Sequence, residues 1–494
     1  MSQAPVMLGI DVGTTSVKVL AADIEGKNIC AEDASYPLYQ PQEGYREQNP
    51  QEILEALHHA VQTVLGQINQ PIVVVSFSTA MHSLLAVNEA GKPITPMLIW
   101  ADTRSQKYAE ELRGTPLGSK IYQRSGAPIH AMLPLCKIAW LRDHEAEIFQ
   151  QAHKFLSFKE WLLYQWFGKY VIDYSMATAT GLFKQESLGW YEEALAFASI
   201  DAEQLSKPVP TTHVLEGLSE EAANATGLSR RTPVVVGASD GCLANLYASG
   251  MNPREATLSL GTSGAIRLIA PETTPDEQMR IFNYLLTEKY HVIGGPTNNG
   301  GIILNWLQKN LYDNHCPPEA ILAKAAKVEA GADKLVCLPY FHGERAPFWN
   351  ERMTGGFFGV GNDHTLDYFA RAALEGVVYN MYSIGQGLED TAGGFDAIWA
   401  DGGVTRSDFM VQLIADVFNK PVYVAESHHG VAEGAIMLGS VALGLVDSLE
   451  EVVKNTEKKR EFTPNVALRS AYQEQYERFQ QWGEVVANQV ANSE

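Results

Sequence analysis

The sequence predicts an α/β fold built as two large domains of one architecture, and three observations carry that expectation. First, near the start, an apolar run at residues 7–10 leads through Asp11-Val12-Gly13-Thr14-Thr15-Ser16 into a second apolar run at 17–22. Second, Leu258-Ser259-Leu260 leads through Gly261-Thr262-Ser263-Gly264 into the apolar stretch 265–270, about half the 494-residue chain further on. A strand–turn–strand signature that recurs at half-length marks a duplicated architecture. Third, strand-like and helix-like patterns alternate between and beyond these turns, as mixed α/β sheets require.

The elements follow in order. Asn49-Pro50-Gln51-Glu52 sets an N-cap residue, a first-turn proline and an acidic third position, which opens a helix. Ile53, Leu57, Val61, Val64 and Ile68 then share one face. Residues 72–77 are continuously apolar, as in a strand covered on both sides. Segments 84–87 and 96–100, separated by Asn88-Glu89-Ala90-Gly91-Lys92, read as a hairpin. Residues 234–237 form another buried strand, ending at Ser239-Asp240-Gly241 before a helix. Strands are expected at 334–338, 397–399 and 421–424, with helices over 366–386 and 408–418. Gly250, Asn252 and Pro253 break the pattern, which places the domains at 1–248 and 249–494.

Composition narrows the class. Apolar residues make up 46% and charged residues 19%, enough to bury real cores. Lys and Arg number 37 against 58 Asp and Glu, a net charge of −21, which argues against nucleic acid or an acidic membrane surface as partner. The most apolar stretch, 430–446, carries Glu433 and several glycines, so a packed helix is expected there and not a membrane span. Residues 1–7 show no secretory signal. The five cysteines are scattered, never in CxxC spacing, and imply neither a disulfide framework nor a zinc site. A soluble, cytoplasmic protein is expected, and a homodimer is left open.

Several residues could carry chemistry. Asp11 ends a buried strand and opens a turn of small hydroxyl residues, whose successive amides form a concave site for phosphate oxygens. An unliganded β-turn explains one such turn equally well. Two of them, at Gly13 and Gly261-Thr262, are what gripping a triphosphate requires. Asp240 follows an apolar strand and precedes a helix, so it stands where α/β sheets bind ligands, or else is an ordinary helix cap. Gly402-Gly403, with Ser407 starting a helix, fits a nucleoside pocket or a plain strand–helix turn. Met81-His82-Ser83 and Trp100-Ala101-Asp102-Thr103-Arg104 set polar groups at strand ends.

Taken together, and in order along nearly the whole chain, these residues resemble the FGGY carbohydrate kinases of the actin-like ATPase superfamily. Met132-Leu133-Pro134-Leu135-Cys136-Lys137-Ile138-Ala139-Trp140-Leu141-Arg142-Asp143-His144 fits the family's first signature. Residues 355–375 fit the second through Gly359, Ala372 and Glu375, departing at Tyr368, and Gly343-Glu344-Arg345-Ala346-Pro347 also looks familial. The resemblance implies two ribonuclease H-like domains with ATP and substrate in a cleft between them, and Mg²⁺ as cofactor. It makes Asp240 the catalytic base and puts Asp11 and Asp240 near the metal. It assigns Gly13, Thr14, Thr15, Ser16 and Lys18 to the first phosphate segment and Gly261 and Thr262 to the second. Gly301, Asn305, Gly402, Gly403 and Ser407 fall at nucleotide contacts, and Met81 and His82 at the substrate loop. Within the family, residues 76–83, 99–105 and 173–181 look like the branch that phosphorylates gluconate, with the xylulose branch as alternative. A sugar-free ATPase of the actin or chaperone type is disfavoured, because it needs no base aimed at a hydroxyl. A sugar acid needs a cation or several N–H donors: Arg104 is the candidate, with Asp102 beside it, although a purely structural pair with Asp102 or another carboxylate is equally open.

Overall fold

In the computed structural model, residues 5–271, 273–312, 314–425, 429–452 and 458–491 are described. The chain divides into two compact units. The first comprises residues 1–251, 283–292 and 427–456, and the second comprises 252–282, 293–426 and 457–494. The first unit is therefore discontinuous in sequence.

The first unit is organised on strands β1 (Val6–Val12), β2 (Ser16–Asp23) and β3 (Asn28–Ser35), helix α1 (Pro50–Gln67), and strands β4 (Ile72–Thr79), β5 (Val214–Leu215) and β6 (Val234–Ser239). Helix α2 (Asp240–Ser249) follows directly on β6. Its sheet has the order β5-β6-β4-β1-β2-β3. Strand β1 is antiparallel to β2 and parallel to β4, and β4 is parallel to β6. Asn49 caps α1 by accepting from the Gln51 amide, and Pro50 takes the first turn. Ile53, Leu57, Val61, Val64 and Ile68 are buried with Leu8, Ile10 and Phe77 on one face of the sheet. The other face packs Met7, Leu20, Val74 and Val235 on Ala432 and Ile436 of the helix Gly430–Ala442. Because a Cβ on Gly9 would collide with the Ala432 carbonyl, this helix lies directly on β1.

A second sheet, centred in the second unit, repeats the plan. Strands β7 (Glu255–Leu260), β8 (Gly264–Pro271), β9 (Phe282–Leu285) and β10 (Tyr290–Thr297) precede helices α3 (Ile302–Asn310) and α4 (Leu366–Ala392). Strand β11 (Ala397–Asp401), helix α5 (Asp408–Phe418), and strands β12 (Val422–Ala425) and β13 (Lys458–Phe462) complete it. The sheet order is β9-β10-β8-β7-β11-β12-β13. Strand β7 is antiparallel to β8 and parallel to β11, which is parallel to β12. Around β7 this matches the pattern around β1, so each unit carries a ribonuclease H-like core of the actin-like ATPase fold.

Three sequence expectations are refined. Segments 84–87 and 96–100 fold back on each other through the antiparallel Leu84–Leu98 bridge and, across the 88–92 turn, Val87–Pro93, and each also takes a second partner: Leu85–Val87 pairs with Lys154–Leu156, and Met97–Leu98 pairs with Glu47–Gln48. The strand expected from 334 is confined to Val336–Leu338, because Asp333 and Lys334 sit in the left-handed region (φ 49° and 69°). Helix α4 runs on to Ala392, where Gly393 ends it in a left-handed C-cap (φ 80°). Among the described residues, no helix is long and apolar enough to cross a membrane.

Candidate active site

The β1–β2 turn has its carbonyls tied down from behind. Gly13 O accepts from the Tyr36 hydroxyl, Thr14 O from Gln48 Nε2 (2.7 Å), Thr15 O from the Tyr36 amide (3.2 Å) and Ser16 O from the Gly13 amide (3.0 Å). In a trans peptide the C=O and the next N–H point in opposite directions. The amides of Thr14 and Thr15 are therefore carried on the outer side of the turn, as in an anion-binding nest. Trp100 Nε1 donates to Thr14 Oγ1 (3.0 Å) and orients that hydroxyl. Thr15 is exposed, and Ser16 and Lys18 are half-buried.

Asp11 lies beside this turn at the carboxyl end of β1, and Asp240 stands at the junction of β6 and α2. Ser78 Oγ donates to Asp11 Oδ1 (3.0 Å). Burial, and next the charge of Asp240, push the Asp11 carboxyl up to about 7, against the opposing pull of Ser78 and Lys18. Two carboxylates that repel each other offer the hard oxygen donors a magnesium ion takes, so the residues present fit that ion. Asp240 Oδ1 accepts from the Gly241 amide (2.7 Å) at the start of α2, where the helix end favours a negative charge.

The polar residues expected at the substrate side are held tightly. The Ala179 carbonyl accepts from His82 Nδ1 (2.8 Å), which fixes the proton on that nitrogen, and His82 adopts φ 63°. Met81 and the first turn share a pocket of about 20 Å³, lined also by Thr79, Ser83 and Trp100. Asp102 is fully buried and accepts from the Arg46 amide (2.7 Å), from the Arg104 amide (3.1 Å) and from the Arg104 guanidinium. Arg104 spends Nε on Asp102 (2.9 Å) and Nη2 on both Asp102 (2.8 Å) and Glu47 (2.6 Å), and its guanidinium stacks 3.6 Å from the Tyr45 ring centre. A missed residue ties the two loops together. Lys137, wholly buried, donates to His82 O (2.6 Å) and Ile99 O (2.8 Å), and burial drives its amine down to about 7. Its signal was a lysine inside an apolar helical run.

In the second unit the β7–β8 turn is built the same way. Gly261 O accepts from Gly301 N (2.6 Å), Thr262 O from Gly300 N (3.2 Å) and Ile302 N (3.1 Å), and Ser263 O from Gly261 N (2.9 Å). The amides of Thr262 and Ser263 are thereby carried outward. Gly301 must be glycine for this approach, since a Cβ there would lie 2.8 Å from Gly261 O. Gly402, at φ 84°, closes on Leu260, where a Cβ would lie 3.0 Å from the carbonyl oxygen. Gly261, Gly301 and Gly402-Gly403 thus meet at the ends of β7 and β11, exposed, with Asn305 exposed one turn into α3. Ser407 is committed as the N-cap of α5, its hydroxyl accepting from the Met410 amide. A second missed residue stands behind this surface. Buried Glu344 accepts from Thr297 Oγ1 (2.7 Å), Asn298 N (3.0 Å), Asn299 Nδ2 (3.1 Å) and Asn380 Nδ2 (3.1 Å), so it anchors the segment that delivers Gly300 and Gly301.

These features agree with what the chain is similar to. The profile of the FGGY family of carbohydrate kinases, N-terminal domain, matches residues 6–246, and that of the C-terminal domain matches residues 256–443. The gluconokinase of Bacillus subtilis (strain 168) is 42% identical over 457 residues, covering 90% of this chain and 89% of that protein. A xylulose kinase of Staphylococcus epidermidis (strain ATCC 12228 / FDA PCI 1200) is 30% identical, covering 95% of each. The crystal structure of gluconate kinase from Lactobacillus acidophilus superposes with a TM-score of 0.96 at 32% identity, covering 100% of both chains. With a tied-back glycine-threonine turn in each unit, the fold is that of a carbohydrate kinase. The chain belongs to the FGGY family of carbohydrate kinases.

Proposed function

We propose that the protein transfers the γ-phosphoryl group of ATP to the terminal hydroxyl of D-gluconate, giving 6-phospho-D-gluconate. The observation that carries the choice of substrate is the 42% identity to a gluconokinase, against 30% to a xylulose kinase of similar coverage. The first unit, with its core in residues 1–248, supplies the substrate loops and Asp240. The second, within 249–494, supplies the nucleotide surface at Gly261-Thr262, Gly301 and Gly402-Gly403, with Asn305 and Ser407 at its edge. Phosphoryl transfer depends on positioning and charge stabilisation more than on covalent catalysis. Outward amides of Thr14, Thr15, Thr262 and Ser263 meet phosphate oxygens, and Lys18 adds a cation near the first turn. Asp240 accepts the proton of the attacking hydroxyl. Asp11 and Asp240 would hold the magnesium ion, which when bound neutralises phosphate charge.

Asp240→Asn tests the assignment. The side chain keeps its shape and loses its proton acceptor, so turnover falls by roughly 10²–10⁴ while ATP still binds. Wild-type turnover in that variant would remove Asp240 from the chemistry.

A further inference from the structure

Strand β6 does not run straight into Asp240. Its pairing with β4 shifts register between Val235 and Ala238, and Gly237 within the shift adopts φ 74°. A Cβ on Gly237 would collide with the Phe77 carbonyl, so the bulge is pressed against β4. A bulge re-aims the residues that follow it. The next residues, Ala238 and Ser239, rejoin the ladder opposite Ser78 and Thr79 and deliver Asp240, and they are also held from the side by groups outside the sheet.

Ser175 Oγ accepts from the Ser239 amide (2.8 Å) and itself donates to Asp173 Oδ1 (2.5 Å). Asp173 Oδ1 also caps the short helix Tyr174–Thr178 through the amides of Ser175 and Met176, both at 3.1 Å. Lys159 Nζ lies 2.6 Å from Asp173 Oδ2 as a buried ion pair, and it donates to Ala238 O (3.1 Å). Asp173, Ser175 and Ser239 are fully buried, and Lys159 is 2% exposed. The carbonyl of Ala238 is thus held by Lys159 and the amide of Ser239 by Ser175, with Asp173 joining the two. A buried charge pair is a poor source of net stability, but its fixed geometry defines where a backbone lies.

We infer that Lys159, Asp173 and Ser175 form a positioning device that aims Asp240 at the hydroxyl to be phosphorylated. The inference rests on the reading of Asp240 as the base. None of the three touches substrate; they act through the backbone of residues 238 and 239.

The test is a double-mutant cycle on the full-length protein, with kcat, the KM values for ATP and gluconate, and the thermal midpoint measured for Ser175→Ala, Asp240→Asn and the double variant. Ser175→Ala removes one hydroxyl and leaves the ion pair. The expected result is a kcat loss of roughly 10- to 100-fold, the scale of a small misplacement of a catalytic group, with both KM values within about twofold of wild type and a nearly unchanged midpoint. In the Asp240→Asn background the same change should cost nothing further, because the group being aimed is already disabled. Equal losses in both backgrounds, or a kcat loss that follows a lowered midpoint, would overturn the positioning role, as would wild-type kcat in Ser175→Ala. Wild-type turnover in Asp240→Asn alone would instead overturn the base assignment and the positioning role with it.

Discussion

Arg104 shows how known neighbours weigh between two readings of a residue picked from its sequence context. Its Nε and Nη2 are committed to Asp102 and Glu47, with the side chain only 6% exposed. Reading Trp100-Ala101-Asp102-Thr103-Arg104 alone, a cation for the substrate carboxylate and a structural partner for Asp102 were equally open; Glu47, 57 positions upstream, could not be placed. The geometry favours a strut that locks the 99–104 loop. Arg104→Gln leaves the buried Asp102 without its counter-charge, a change that costs roughly 3–5 kcal/mol. The expected outcome is a lowered thermal midpoint, with activity falling by the same factor on gluconate and on neutral ketoses. A selective rise in the gluconate KM with an unchanged midpoint would restore Arg104 as the carboxylate ligand.

At the scale of elements, the long periodic segments were readable from the sequence and the short ones were not. Helix α1 announced itself through Asn49-Pro50 and five apolar positions on one face, and α5 matches its expected bounds. The segments 84–87 and 96–100 do turn back on each other as their loop suggested, but their second partners, 154–156 and 47–48, come from remote chain that no local pattern points to. The two turns were legible as glycine-threonine motifs, but the carbonyls tied back by Tyr36, Gln48, Gly300 and Gly301 were not, since no local pattern encodes them. The Lys159–Asp173 pair left only a faint trace: a Lys-Glu doublet inside the apolar run of the helix Phe158–Phe167. The close approach of α3 to the β7–β8 turn gives an element-scale prediction. Gly301→Ala sets a methyl against the Gly261 carbonyl, 2.8 Å away before any relaxation, and displaces the outward amides of Thr262 and Ser263. The KM for ATP should rise about tenfold, equivalent to ~1.4 kcal/mol, while gluconate binding in the absence of nucleotide, followed by calorimetry, stays as in wild type. Weaker gluconate binding with unaltered ATP affinity would place this turn on the sugar side.

For the whole molecule, the duplicated sheet plan explains why one Gly-Thr turn predicted another half a chain away: each core presents the same hairpin beside parallel strands. A net charge of −21 repels both ATP and a sugar acid, so binding depends on local amide donors and cations and should weaken little as salt screens the overall field. What the fold does not decide is the acceptor, because gluconate and xylulose kinases share it. The most direct measurement is therefore a coupled ATP-turnover assay over gluconate, xylulose, glycerol, ribulose and rhamnulose, with the phosphorylated product identified by mass spectrometry. The expected result is the highest kcat/KM on gluconate, with 6-phosphogluconate as product; a higher kcat/KM on xylulose, or turnover of none of the five, would contradict it.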